Sequence, residues 1–197
     1  MSWTTRGIKG MERRSSYFTN LIQTVITLSE ADNWHLAVEE WYLDDVEEDE
    51  YLEESCVCGK ENLRYLFTIR NEYNGNTLFP IGSSCIKKFE RSDLNEEVAA
   101  KEQLFKLLHA IENNELLSLS SNLFTRKLLL YLYEIGAFVP TAYNRYNPEN
   151  DYLFMLDMFN KRNRMTVRQE SKTTAIILNS IKPFLRKMLN NKIRKMR

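Results

Sequence analysis

Apolar and polar positions alternate with a helical period at both ends of the chain and with a strand period in the middle. From Ser15 onward Phe18, Leu21, Ile22, Val25 and Ile26 recur every three or four residues, which predicts an amphipathic helix. A second helix is expected from about Asp32, with Trp34, Val38, Trp41 and Tyr42 toward the core. Leu63 to Arg70 is rich in β-formers, Asn74-Gly75 suits a tight turn because both residues tolerate positive φ, and Thr77 to Ile81 runs back as the other arm of a hairpin. Gly82-Ser83-Ser84 then reads as a helix entry capped by hydroxyls, continuing through Ile86 and Phe89.

Beyond this point the pattern is helical throughout. Leu94 to Glu112 and Ser121 to Ile135 are long periodic runs, the second apolar almost all round and expected as a central buried helix ending at Gly136. Thr141 to Asn150 reads as a loop and Asp151 to Phe159 as a short helix. Thr166 with Gln169 forms a capping box for a helix through Ile181, and Pro183 marks a break or kink. The first dozen residues lack a period and are expected as a loose arm. The expected class is α+β, mainly α, a helical domain with a short β-hairpin and a tight knuckle before it. Its segments are N-terminal helices and an acidic stretch (1–54), the knuckle with the hairpin (55–92) and a C-terminal helical region (93–197).

Composition adds a charge asymmetry. Lys plus Arg equal Asp plus Glu at 27 each, yet Glu39 to Glu54 contains no base and Lys161 to Arg197 contains Glu170 as its lone acid. So many like charges do not make a stable isolated helix. The acidic stretch is either a solvated loop or a surface that docks on an Arg/Lys-rich partner, with Tyr42, Tyr51 and Leu52 interleaved as anchors. No apolar run is long enough to cross a bilayer and no signal-peptide pattern opens the chain, so a cytoplasmic protein is expected. Phosphate-binding loops, dinucleotide fingerprints, H-E-x-x-H and nucleophile elbows are missing, and with two histidines there is little from which to build an acid/base pair. A binding protein is expected rather than an enzyme.

The chemistry concentrates in the three cysteines, Cys56, Cys58 and Cys85. Two cysteines one residue apart and followed by Gly59 are badly placed to bond each other and well placed to converge on one ion. The hairpin returns the chain so that Cys85, in the first turn of the following helix, can join them, where a helix N-terminus favours its thiolate. Three free buried thiols are the plain alternative. A disulfide is disfavoured by the odd count, and a catalytic zinc site by a ligand set made of cysteines. Knuckle, hairpin and helix in that order resemble a treble-clef zinc finger. In variants with C-x-C at both ends a cysteine stands where this chain has Ser83, so a fourth ligand is sought in His35 or His109. His35 is preferred because it lies on the expected helix leading into the acidic stretch.

The runs C-x-C-G-K, L-F-T-I-R-N-x-x-N-G-N and P-I-G-S-S-C-I-K-K-F, with D-Y-L-F-M-L-D-M-F-N-K-R-N and A-I-I-L-N-S-I-K-P-F-L later, resemble small zinc-site proteins of Gram-positive phages and prophages. Within that set the chain is similar to type II-A anti-CRISPR proteins. The resemblance implies a non-catalytic inhibitor in the host cytoplasm that binds a type II CRISPR RNA-guided nuclease and blocks loading of target DNA. Such nucleases hold their heteroduplex in a positively charged channel. Asp44, Asp45, Glu47, Glu48, Asp49 and Glu50 would then make the contacts, with zinc stiffening the segment that carries them. The alternative is a phage accessory protein that binds DNA or RNA through the basic C-terminal region, where Arg and Lys alternate with Phe184, Met188 and Ile193.

Overall fold

The computed structural model describes the backbone of residues 9–195 and the side chains of residues 16–189. Part of the expected N-terminal arm and the last basic side chains lie outside the described residues. The chain divides into two compact units, Met1–Val98 and Ala99–Arg197.

The first unit opens with helix α1 (Lys9–Thr27), whose Leu21 and Val25 are fully buried. Asn33 caps α2 by accepting the Leu36 N–H, but α2 (Trp34–Ala37) is a single turn and tightens into a 3-10 turn over Val38–Glu40. The helix expected to carry Trp41 and Tyr42 therefore stops short. Those residues open β1 (Trp41–Glu48), which pairs antiparallel with β2 (Tyr65–Asn71), and β2 pairs with β3 (Thr77–Ile81) in the order β1-β2-β3. The Arg91 guanidinium takes the carbonyls of Val38, Glu39 and Trp41, supplying the donors that a continuing helix would have supplied.

The acidic stretch is thus largely a strand at the edge of the sheet rather than a loop. Its W-Y-L-D-D-V-E-E sequence breaks strict alternation at Asp44-Asp45, and the structure absorbs the extra residue as a bulge between Leu43 and Asp45. With the bulge in place Trp41, Leu43, Val46 and Glu48 stand opposite Asn71, Ile69, Phe67 and Tyr65 on one face. Asp45 and Glu47 are left on the other.

The β2–β3 connection is longer than the two-residue turn suggested by Asn74-Gly75. Gly75 alone of that pair takes positive φ (73°), and the Asn71 side chain accepts the Tyr73 and Asn74 N–H groups. Asn74 and Asn76 both donate to the Leu28 carbonyl at the end of α1. After β3 comes α3 (Ser83–Ile86), capped by Gly82 with no hydroxyl bond, in contrast to the expected serine cap. α4 (Ser92–Glu112) then leads into the second unit.

There α5 (Arg126–Glu134) is shorter than its apolar run, because Ser120 O gathers the Leu123 and Phe124 N–H groups into a turn and Thr125 caps the helix proper. It ends at Gly136 with φ 81°. α6 (Pro148–Asn160) and α7 (Val167–Ile176) follow, the latter with the capping box of Thr166 and Gln169 in place. A π segment over Ile177–Ile181 joins α7 to α8 (Lys182–Lys195). Pro183 neither accepts the usual helix bond pattern nor ends the helix, since the widened turn before it accommodates the missing N–H. Buried Asn144 donates to Val139 O and to Asp151, and Lys172 lies 3.5 Å from the other oxygen of Asp151.

Candidate metal centre

The site starts from a tight knuckle. Gly59 N–H donates to Cys56 O at 2.7 Å and Cys56 N–H to Lys60 O at 2.8 Å, a reversal that Gly59 permits with φ 92°. Val57 N–H donates to Pro80 O, tying the knuckle to the end of β3. Asn20 of α1 donates to Cys58 O from the opposite direction. The hairpin then delivers Cys85 on the first turn of α3.

The three sulfurs meet. Cys85 Sγ lies 3.4 Å from Cys58 Sγ and 3.7 Å from Cys56 Sγ, and all three fall within 4.8 Å of one another. A tetrahedral ion with metal–sulfur bonds of about 2.3 Å needs sulfurs about 3.8 Å apart, close to the two edges that meet at Cys85. Each cysteine is at most 5% exposed. Gly82 N–H donates to Cys56 Sγ at 3.3 Å, a bond that steadies a thiolate. A Cβ added at Gly82 would sit 3.0 Å from the Leu63 side chain, which would have to give by a few tenths of an ångström. The expected helix-end stabilisation of a thiolate at Cys85 is not found: α3 has only four residues, the N–H of its cap residue Gly82 goes to Cys56, and the Cys85 thiol is pushed up.

Electrostatically the trio is uneven. The hydrogen bond with Cys85, followed by backbone N–H groups, outweighs burial and pulls the Cys56 thiol down to about 5. Burial pushes Cys58 up, and the bond to Cys56 together with burial pushes Cys85 up. A cation held by the three sulfurs would favour the thiolate form of each, so its binding would release protons.

The two histidines are not part of this cluster. His35 is exposed on α2 and does not join the three sulfurs, which corrects the choice of His35 as fourth ligand. α2 is a single turn that passes through the 3-10 turn into β1. His109 belongs to the second unit, with Nδ1 3.3 Å from Glu112.

The acidic set separates into distinct roles. Asp49 Oδ1 accepts from Tyr51 N–H, and its Oδ2 accepts from Glu53 and Glu54 N–H, folding the segment that leads into Cys56. The Glu54 N–H bond leads the interactions that hold the Asp49 carboxyl below its ordinary value. Glu48 pairs with Arg64 at 3.0 Å and Asp44 with Arg70 at 3.4 Å. Asp45, Glu47 and Glu50 are exposed, as is Tyr51 at 82%. Sequence reasoning counted Glu40 with the acidic stretch, whereas it is 4% exposed and fully hydrogen-bonded.

No helix among the described residues is long and apolar enough to cross a membrane. Comparison with family models, with curated proteins and with solved structures finds no match to this chain.

Proposed function

We propose that this chain is a non-catalytic zinc protein that uses its acidic strand to dock on a basic surface of a type II CRISPR nuclease in the host cytoplasm and keeps target DNA from loading. The observation that carries the metal half of this reading is the buried sulfur triangle, two edges of which are close to tetrahedral length. Soft thiolates favour zinc over hard cations, and a buried site of this kind contributes folding energy to its neighbourhood.

The docking half is supported by what the metal would stabilise. Asp49 connects the end of β1 to the knuckle, so a clamped Cys56 fixes the strand that presents Asp45 and Glu47. Exposed carboxylates beside Tyr51 and Leu52 combine long-range steering with apolar anchors. The test is binding of the purified protein to a guide-loaded type II nuclease, followed by target DNA loading. The double reversal Asp45→Lys with Glu47→Lys is expected to abolish inhibition with zinc content unchanged. Wild-type protein that leaves DNA loading unaffected sinks the proposal.

A second reading draws on the second unit, where Lys161, Arg162, Arg164, Arg168, Arg186 and Lys187 are exposed. Such a surface suits the phosphates of DNA or RNA. A gel-shift titration at two salt concentrations decides between the readings: tight, salt-sensitive nucleic-acid binding favours the second.

A further inference from the structure

The loop between α5 and α6 is held more firmly than a connection needs, and the side chains it holds outward are aromatic. Asn144 is 2% exposed, and both ends of its side chain are used. Its Oδ1 accepts the Thr141 N–H, and its Nδ2 donates to Val139 O and to the Asp151 carboxylate. Asn150 donates to Asn144 O, and Tyr146 N–H donates to Thr141 O. The residues flanking the loop pack together, with Tyr152 stacked on Tyr133 and edge-on to Phe138. Arg145 and Tyr146 both lie at φ 59°, a left-handed conformation that bulky residues ordinarily avoid. What this frame displays is Tyr143 at 94% exposure, Tyr146 at 74%, and an exposed Arg145 between them. Neither ring stacks on another, and Arg145 has no ion pair, among the described residues.

We propose that Tyr143 and Tyr146 form a stacking platform for the bases of single-stranded nucleic acid, with Arg145 on its phosphates. This rests on the nucleic-acid reading of the second unit and narrows it to one loop. That unit, Ala99–Arg197, carries 17 Lys and Arg against 8 Asp and Glu, so its field attracts polyanions. Of the carboxylates at the loop, Asp151 is buried and answered by Lys172 at 3.5 Å, while Glu149 is exposed. Every base has a π-face, so open rings bind single strands with little regard for sequence, whereas a duplex keeps its bases stacked on each other. Rings already fixed in place lose less freedom on binding. Tyrosines that anchor a protein partner sit in a surround that excludes water; here Asn147, Glu149 and Asn150 are exposed around them.

The test uses the full chain and labelled oligonucleotides of one mixed sequence, as single-stranded DNA, single-stranded RNA and annealed duplex, in anisotropy titrations at two salt concentrations. Wild type is expected to bind a single strand more tightly than duplex. Tyr143→Ala with Tyr146→Asn, asparagine being tolerated at positive φ, should weaken single-strand binding about tenfold or more and leave duplex binding unchanged. Tyr143→Phe with Tyr146→Phe should bind as wild type does, since the ring and not the hydroxyl does the stacking. Arg145→Asn should reduce the salt slope on single strands by about 0.7. Circular dichroism melts check the fold of each variant, and Tyr143→Ala alone serves if the double variant melts early. If the ring-removing variants bind single strands as tightly as wild type, or the phenylalanine variant loses binding, the platform is overturned while the basic surface stands. The platform also falls if those variants lose a guide-loaded nuclease but keep single-stranded DNA, which would assign the loop to a protein partner. If wild type binds no nucleic acid at either salt concentration, the platform and the nucleic-acid reading fall together.

Discussion

Glu40 holds three hydrogen bonds out of contact with solvent, from the N–H groups of Glu30 and Ala31 and from the Asn71 side chain at 2.6 Å. Burial pushes its pKa up, but these three donors outweigh burial and leave the carboxyl below its ordinary value. Because the folded value lies below the unfolded one, the stabilisation is present above the ordinary carboxylate range and is lost as pH falls through the folded value. Glu40→Gln is expected to cost about 1–3 kcal/mol at pH 7, with the gap to wild type narrowing in acid. Urea titrations at several pH values check this, and parallel curves would refute it. Composition places Glu40 with nine other acids between Glu39 and Glu54, so nothing in the sequence separates it from its solvated neighbours. The cysteines were legible for the opposite reason: their spacing is itself geometric information, and a C-x-C-G knuckle constrains where its sulfurs can point. His35 was not, because its placement depended on a helix that ends after one turn.

At the scale of elements, the hairpin and most of the helices followed from period and caps, while β1 did not. The Asp44-Asp45 doublet interrupts alternation, and only tertiary pairing with β2 shows that one residue is bulged and the remaining apolar positions share a face. The same element separates carboxylates that build from carboxylates that are displayed. Asp49→Ala removes the acceptor for the Tyr51, Glu53 and Glu54 N–H groups. It is therefore expected to lower the melting temperature and to loosen any metal held by the adjoining knuckle. Asp45→Lys with Glu47→Lys, on the outward face, should stay within about 0.5 kcal/mol of wild type. Thermal melts paired with metal analysis separate the two; equal losses in both variants would contradict this division.

For the whole molecule, a metal held by Cys56, Cys58 and Cys85 would cross-link residues that lie within the first unit, Met1–Val98. Chelation is expected to remove amide-exchange protection around β1, the hairpin and α3 while protection in α5, α6 and α7 persists. Hydrogen exchange with and without chelator reads this directly, and uniform loss along the chain would count against it. The second unit has its own ties, among them Asn144 to Asp151 and the stacked rings of Tyr133 and Tyr152 at 4.9 Å. The bulge at Asp44 has a bearing on how copies of this protein behave in crowded solution. A sheet margin that is kinked and negatively charged repels its own kind and cannot template a straight ribbon. Deleting Asp44 would restore an even pleat with Asp45 and Glu47 still on their present face, and the expected result of losing the kink is a chain that clumps on concentration, seen as rising light scattering where the parent stays clear.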